Sequence, residues 1–365
     1  MTALEKMEAG DDAVQIHSDS GTFNFGTEIT VSEVLEIGKG AARTVLMESW
    51  PFAEKLIDQR IQVILESIVK KMREKDEALL SRFKDPRFLA VLTTVEKSFA
   101  ETGDIELGEI LSGLLADLAS KSIRSRREIV LRQAVECAPR LTTTHLNALS
   151  VIFRIERIRY PYVANVAALI SALNEDLSPY FDSIPEDTFD YEYMGSTEAG
   201  TYLSMTPSRY LDRVFTAHRN ALYEPFVVND FMNELNQGTT IDDIQARLNE
   251  VVALLKLVPD DPNQRIKLDW EDGERILSVD SNVVKGLNPG ELNLRSFLQD
   301  RSITSDGFEA AVREQAPELA QFFDRLQSSR AFNFRLSPVG LMLARHEMES
   351  RSPETAAQLD ALFED

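Results

Sequence analysis

Apolar residues recur at three- and four-residue steps along the stretch 85–159, which is the pattern of consecutive amphipathic helices. Asp85 and Pro86 form a helix-start pair, because the Asp side chain can cap backbone N–H groups and Pro fits the first helical position. We expect Gly103 to end the first of these helices and Pro139 to end a later one. Short connections favour antiparallel neighbours, so the stretch predicts a compact helical bundle.

The same periodicity continues over most of the chain and predicts a mainly α fold, with helical bundles and short β-hairpins near the N-terminus and at about 266–279. Breaks at Pro, Gly and acidic clusters divide the chain into four regions. The predicted regions are an acidic leader with a hairpin at 1–29, a helical bundle at 30–160, a second helical region at 161–258 that contains an irregular acidic loop at 182–205, and an α+β region at 259–365.

Two short apolar segments near the N-terminus, 14–17 and 22–26, flank a Ser-Asp-Ser-Gly turn and predict a β-hairpin. A lone hairpin is only marginally stable in water, so this one needs a partner. The partner is either the body of the same chain or the same segment of another subunit. We therefore predict that Phe23, Asn24 and Phe25 take part in oligomerisation.

The second predicted hairpin lies at 266–279, where two strand-like segments flank an Asp-Gly pair. A further short strand is predicted at 332–336, directly before a closing helix that starts at a Ser-Pro pair. The triplet Phe-Asn-Phe at 23–25 recurs at 332–334. Because both copies alternate like strands, pairing between the two ends of the chain is a hypothesis that coordinates can test.

The composition of the chain is that of a globular protein: 365 residues, 43% hydrophobic and 27% charged. Its net charge of −21 opposes the approach of nucleic acid at long range. No apolar run approaches the ~20 residues that span a bilayer, and the acidic N-terminus lacks an apolar signal core, so we predict a cytoplasmic protein with no membrane span. The single cysteine, Cys137, has apolar helical surroundings and is expected to be an inert buried thiol.

Positive charge is concentrated between Lys121 and Arg159, where nine basic residues accompany only three acidic ones. One interpretation of this basic stretch is a docking site for phosphate, nucleic acid or an acidic partner. The other is that its arginines pair with acidic faces of the same chain or of a neighbouring subunit. The candidate binding residues are Arg124, Arg126, Arg127, Arg132, Arg154 and Arg157.

Sequence motifs for catalysis are missing. The four histidines are scattered without metal-ligand spacing, and neither a nucleophile elbow nor a dinucleotide fingerprint occurs. We therefore predict no catalytic residues, no metal and no cofactor. Asp190 in the acidic loop, and Asp260 near Lys267, leave a metal-dependent hydrolase or nuclease as an alternative, although exposed acidic loops explain these carboxylates more simply.

Several short stretches carry a family resemblance. Residues 99–104 and 135–142, together with the strand at 21–26, look like an uncharacterised set of bacterial helical proteins. The ending Phe-Arg-Leu-Ser-Pro-Val-Gly at 334–340 is similar to the close of abortive-infection alpha proteins. This resemblance implies a role in bacterial defence against phage and brings no catalytic residues with it. The same ending also resembles the wing of a winged-helix domain, but the acidic residues before it do not suit a DNA-reading helix.

The sequence thus favours a non-catalytic cytoplasmic interaction protein, a sensor or adaptor in anti-phage defence that acts through oligomerisation or partner binding. The expected partner is another protein or a second copy of this chain. A regulator that binds nucleic acid or a nucleotide through the basic stretch is the alternative. A metal-dependent hydrolase or nuclease is a second alternative.

Overall fold

The computed structural model divides the chain into two units. The first unit is Met1–Leu141 together with Arg345–Asp365, and the second is Thr142–Ala344. The predicted region boundaries at 160 and 258 both lie inside the second unit. The residues that the structure describes are 32–39, 54–121, 124–160, 163–204, 210–235, 241–258, 261–278 and 281–351.

The first unit is built from helices. Within the described residues they are α1 (32–39), α2 (Glu54–Lys75), α3 (Pro86–Thr102), α4 (Ile105–Ala119) and α5 (Arg126–Cys137). Helix α2 packs against α3 and α4, and α5 packs against α4. Helix α2 buries Ile61, Leu65 and Ile68 at helical spacing, so its apolar stripe faces the core of this unit.

Local capping chemistry sets the limits of these helices. The Asp85 side chain accepts a hydrogen bond from the backbone N–H of Arg87 at 2.9 Å, with Pro86 as the first residue of α3. Gly103 ends α3 in the left-handed conformation, with φ 65°. Helix α5 ends at Cys137, which is buried, and a 3-10 turn that contains the proline follows it. The predicted helix limits and the buried thiol are confirmed.

The second unit is also mainly helical. Its helices are α6 (Thr143–Arg157), α7 (Val166–Leu177), α8 (Thr188–Gly195), α9 (Tyr210–Ala217), α10 (Val228–Leu235), α11 (Ile241–Val251), α12 (Trp270–Leu277), α13 (Ser281–Lys285), α14 (Pro289–Asp300), α15 (Ser305–Gln315), α16 (Pro317–Ser328) and α17 (Pro338–Arg351), whose residues from Arg345 onward belong to the first unit. One of its cores centres on Phe297, which packs edge-on against the rings of Phe226 and Phe231 at 4.9 and 5.2 Å.

Short strands form two antiparallel pairs in the second unit. They are β1 (Gly200–Tyr202) with β4 (Phe334–Leu336), and β2 (Leu255–Leu257) with β3 (Ile266–Leu268). The predicted fold class, mainly α with short β-hairpin elements, is thereby confirmed in outline. The N-terminal hairpin, including Phe23, Asn24 and Phe25, lies outside the described residues.

The hairpin predicted at 266–279 is wrong in its second half. Strand β3 exists, but it pairs with β2 before it in the chain, and the residues expected to form the second strand belong to helix α12. Glu271 and Asp272 fit the first turn of that helix, where negative charge is favourable. Gly273 packs directly on the side chain of Asn220, so the Asp-Gly pair serves a close helix contact and not a turn.

The acidic loop predicted at 182–205 is more regular than expected. It contains helix α8 and strand β1. The Asp187 side chain caps α8 by accepting from the backbone N–H of Phe189 at 3.0 Å. Tyr191 and Met194 are fully buried, so packing in the second unit holds this segment in place.

The strand predicted at 332–336 is confirmed for Phe334–Leu336, whereas residues 331–333 form a 3-10 turn. Its partner is β1, with Gly200 opposite Leu336. A Cβ on Gly200 would stand 2.3 Å from the carbonyl oxygen of Arg335, so only glycine permits this approach of the two strands.

Candidate functional site

Basic side chains of the first unit gather around a small surface cleft, which we call the basic cleft. Its charged lining consists of Arg82, Arg87, Lys121 and Arg132, with Asp85 and Glu128 among them. The positive side chains come from four short pieces of chain: the 3-10 helix before α3, the first turn of α3, the residues after α4, and α5. The cleft therefore forms where these helices begin and end.

Glu128 is the acidic centre of the basic cleft. Its carboxylate accepts hydrogen bonds from Nε of Arg132, from Nη2 of Arg87 at 3.3 Å and from the backbone N–H of Arg124 at 3.2 Å. The Glu128 side chain is only 5% exposed, so these contacts leave little of it accessible to a partner.

Arg82 closes the other side of the cleft. Its Nε donates to the carbonyl oxygen of Ala119 at 2.9 Å and its Nη2 to that of Lys121 at 3.1 Å. These carbonyls stand at the negative end of α4, where a guanidinium group is favourable. Asp85 lies 3.7 Å from Nη1 of Arg82, and the same carboxylate caps α3.

The cleft keeps an excess of positive charge, because four basic side chains face two acidic ones. Lys121 lies at the edge of the cleft, and the backbone N–H of Arg124 donates to Glu128 at its centre. The side chains of Lys121 and Arg124 form no ion pair with any residue that the structure describes. The cavity volume is about 20 Å³, which is room for about one water molecule. Such a space can hold a carboxylate group or a phosphate oxygen at the surface, but it does not enclose a nucleotide.

The model of one protein family matches residues 29–360, which is most of the chain. The chain belongs to this family. The family's description assigns it no activity. No curated protein and no solved structure matches the chain. Membership of this family therefore does not indicate a function for the chain.

The first four candidate arginines of the basic stretch lie together near the start of α5. Arg132 lines the cleft, and Arg124 has φ 59°, a left-handed conformation that turns the chain into the helix. Arg126 is exposed and Arg127 is half-buried, both in the first turn of α5. The count of basic residues along the sequence therefore located this part of the cleft. It did not include Arg82 and Arg87, which precede the basic stretch; the one feature of the sequence near them was the helix-start pair Asp85 and Pro86.

Arg154 belongs to the interior of the second unit. Its side chain is 1% exposed, pairs with Asp176 and lies with its guanidinium carbon 5.5 Å from the centre of the Tyr180 ring. The hydroxyl of Tyr160 donates to the same carboxylate at 2.7 Å, and burial together with Asp176 raises the pKa of that hydroxyl. This arginine fits the interpretation of internal pairing. Arg157, also in the second unit, is exposed, so neither unit brings all six candidate arginines together.

The carboxylates considered for hydrolase chemistry are separated in the structure. Asp190 lies on α8 with its Oδ1 3.1 Å from Nε2 of His145. The other ring nitrogen of His145 accepts from the backbone N–H of Thr142 at 3.2 Å, as part of the capping box of α6. This histidine is therefore a structural cap. Asp260 lies outside the described residues, within which no group of three or more potential metal ligands occurs.

A buried charge cluster in the first unit was not predicted from the sequence. Asp117, 4% exposed on α4, pairs with Lys75, with Nη1 of Arg345 at 3.6 Å and with Nε2 of His346 at 3.3 Å. The other ring nitrogen of His346 lies 3.3 Å from Glu349. The available signal was a single Asp inside the otherwise apolar end of α4, because a lone charge in such a helix requires a partner.

The basic side chains of this cluster lower the pKa values of its carboxyl groups. Burial by itself would raise the pKa of Asp117, but the close contact with His346 and the charges of Lys75 and Arg345 outweigh it and hold that pKa well below its usual range. The hydrogen bond from His346 also lowers the pKa of Glu349 to about 2, against its burial. The opposite charges of this cluster stabilise the packing of α17 against α4 in the first unit.

Among the described helices, none combines the length and apolar composition needed to cross a bilayer.

Proposed function

We propose that this protein is a non-catalytic interaction protein that docks an acidic segment of a partner protein on its basic cleft. The observation that carries the proposal is the uncompensated positive charge of the cleft on a chain whose net charge is −21. Long-range repulsion then opposes most polyanions, so binding depends on close contacts with a short acidic segment and not on general attraction.

The size of the cleft supports a protein partner over an enclosed small molecule. Ligand pockets for nucleotide-sized molecules measure roughly 300–1,000 Å³, far more than the space at this cleft. A carboxylate at the tip of an Asp or Glu side chain needs only surface donors. Lys121 and Arg124 supply such donors, since their side chains have no ion-pair partner among the described residues.

A second copy of this chain is one source of acidic segments, because the chain carries 60 acidic residues against 39 lysines and arginines. This agrees with the prediction of self-association, which the sequence placed at Phe23, Asn24 and Phe25. The role in cytoplasmic phage defence, which the family resemblance implies, also stays a prediction from the sequence. Light scattering of the full chain and of a variant without residues 1–27 tests the self-association: an unchanged particle mass contradicts it.

The docking itself is tested with a charge reversal at the edge of the cleft. Lys121→Glu removes a free donor without breaking an ion pair, and Lys97→Glu makes the same charge change at an exposed position of α3 in the same unit. We expect a fluorescent glutamate-rich peptide to bind the wild type, and Lys121→Glu to weaken that binding by about tenfold or more. Added salt should weaken binding further.

The control variant Lys97→Glu should bind the peptide like the wild type. Equal weakening by both variants would show that only overall charge matters, which contradicts docking at the cleft. Equal binding of a lysine-rich peptide would contradict it as well. Weaker binding of the glutamate-rich peptide by Lys121→Glu, with unchanged binding by Lys97→Glu, supports the proposal.

A further inference from the structure

Arg219 and Arg295 of the second unit donate to neighbouring backbone carbonyl groups, and the charges of Arg159 and Arg219 both act on Glu274. We call Arg159, Arg219 and Arg295, with Glu274 beside them, the arginine cluster. None of the three forms an ion pair within 4.0 Å with any described residue. Arg219 and Arg295 are half-buried, and Arg159 is exposed. Burial lowers the pKa of all three guanidinium groups, and the charge of Arg295 lowers that of Arg219 further.

Two of the guanidinium groups meet at the C-terminal end of α12. Nη1 of Arg219 donates to the carbonyl oxygen of Leu277 at 2.8 Å. Nη1 of Arg295 donates to the carbonyl oxygens of Ile276 and, at 2.6 Å, of Ser278. These three acceptors are consecutive in the chain, so the two positive groups stand side by side.

Arg159 joins them from the chain segment after α6. Its Nη1 donates to the carbonyl oxygens of Glu156 and Ile158, both at 3.1 Å, which are neutral acceptors. The charge of Arg159 acts on Glu274, and the charge of Arg157 acts in turn on Arg159. The exposed Arg157 therefore adds positive charge to the same area.

The only carboxylate of the arginine cluster compensates it poorly. Burial raises the pKa of Glu274, and Arg159 and Arg219 only partly offset that effect. One oxygen of Glu274 is fully buried and has no hydrogen-bond partner in the described part of the chain. His218 adds no positive charge near neutral pH, because burial, with the charge of Arg159, lowers its pKa to about 3. Among the residues that the structure describes, three positive charges thus share one acidic group.

Helix capping explains only part of this arrangement. The end of a helix carries about half a negative charge, for which a single guanidinium group is enough. Capping also occupies only Nη1 of Arg219 and of Arg295, and the Nε and Nη2 groups of both side chains make no hydrogen bond within the described residues. None of these remaining donors is a fully buried atom. They stay available to a ligand.

We propose that the arginine cluster is a binding site for a phosphate group, either free inorganic phosphate or the phosphate of a small phosphate ester. Two or three forked guanidinium donors match the several acceptor oxygens of a phosphate, and its double negative charge offsets the excess positive charge of the cluster. This site lies in the second unit, whereas the basic cleft lies in the first, so it is a separate function from docking an acidic segment.

Thermal unfolding of the full chain in inorganic phosphate, at constant ionic strength set with chloride, tests the proposal. We expect a saturable rise of the melting temperature with phosphate and none with chloride alone. Isothermal titration then compares inorganic phosphate, a sugar phosphate and a nucleoside monophosphate. Tighter binding of one ester would assign the site to that type of ester, and tighter binding of inorganic phosphate would assign it to the free anion. Equal binding would show that the site recognises the phosphate group alone; each of these results supports the site.

The variants separate this site from other basic surfaces. Arg159→Gln leaves the cap of α12 intact, so it should fold, and we expect about tenfold weaker phosphate binding. Arg219→Gln should weaken binding at least as much. Arg335→Gln, at an exposed arginine of the same unit, should bind like the wild type. Absence of saturable binding, or binding that Arg159→Gln leaves unchanged, would overturn the proposal.

Discussion

Glu96 offers a quantitative test of the first unit, because its carboxyl group is buried without a partner. The residue lies on α3 and is 0% exposed, and neither of its side-chain oxygens has a hydrogen-bond partner among the described residues. One of these oxygens faces Gly38 of α1, at 3.3 Å from the place a Cβ would take. Burial raises the pKa of this carboxyl from 4.5 to about 9, so the folded protein holds it protonated at neutral pH.

The raised pKa sets both the sign and the size of the effect on stability. Between about pH 4.5 and pH 9 the unfolded chain has lost this proton and the folded chain has kept it, so the free energy of unfolding falls as pH rises. Each pH unit in that window costs about 1.4 kcal/mol. The contribution is fully present below pH 4.5, and roughly 3 kcal/mol of it is lost by pH 7.

Glu96→Gln keeps the size of the side chain and removes its ionisation. Urea unfolding followed by far-ultraviolet circular dichroism, at several values between about pH 5 and pH 9, measures the free energy of unfolding of both proteins. We expect the variant to gain on the wild type by about 1.4 kcal/mol per pH unit across this range. Glu101→Gln, at an exposed position on the same helix, is the matched control and should show no such slope.

A constant difference between Glu96→Gln and the wild type over the whole range would refute the reasoning. It would mean that Glu96 is ionised in the folded protein and that water or a charged group stabilises it. The same slope in Glu101→Gln would point to the general charge of the chain as the cause. Because each comparison subtracts the wild type, the titration of other groups cancels.

Substitutions at two further positions test the contacts that hold the first unit together. Asp117→Asn should lower the free energy of unfolding by about 3–5 kcal/mol at neutral pH, because His346 and its basic neighbours lose their buried counter-charge. Because the pKa of Asp117 is lowered in the fold, the difference in the free energy of unfolding between variant and wild type, measured in urea, should be constant above about pH 4 and shrink progressively as pH falls below it. Gly103→Ala should cost about 1 kcal/mol or more in thermal unfolding, since φ is 65° and a Cβ would stand 2.6 Å from the guanidinium group of Arg60. Gly103→Asn should lose less in its backbone than Gly103→Ala, because Asn tolerates the left-handed conformation better; an equal loss would assign the effect to the Arg60 contact.

Local signals predicted the helices of the first unit well. An Asp cap, a Pro at the first position and a Gly beyond the end act within four residues of one another, so the chain itself contains the whole interaction. The limits of α3 at Asp85 and Gly103 follow from such signals. The same kind of reasoning failed at 266–279, where an Asp-Gly pair is typical of a hairpin turn but its glycine lies inside α12.

That failure has a tertiary cause. Gly273 is needed because Asn220 approaches it from a 3-10 turn about fifty residues earlier, and no window of local sequence contains both. Strand β3 likewise pairs with β2, which precedes it in the chain. The sequence predicted a helical region at 161–258, so the residues of β2 were not expected to form a strand. Packing across the unit overrode the preference of the short segment.

The candidate sites divide in the same way. Counting charges along the chain identified the basic stretch and its excess over acids, because composition is a property of the sequence alone. Which of those arginines is accessible depended on the folded neighbours: Arg154 is buried against Asp176, whereas Arg132 lines a cleft with Arg82 and Arg87. The sequence determined the helices, their caps and the sum of charge; the tertiary structure alone decided which charges neutralise each other, because desolvation and pairing depend on distances between residues far apart in the chain.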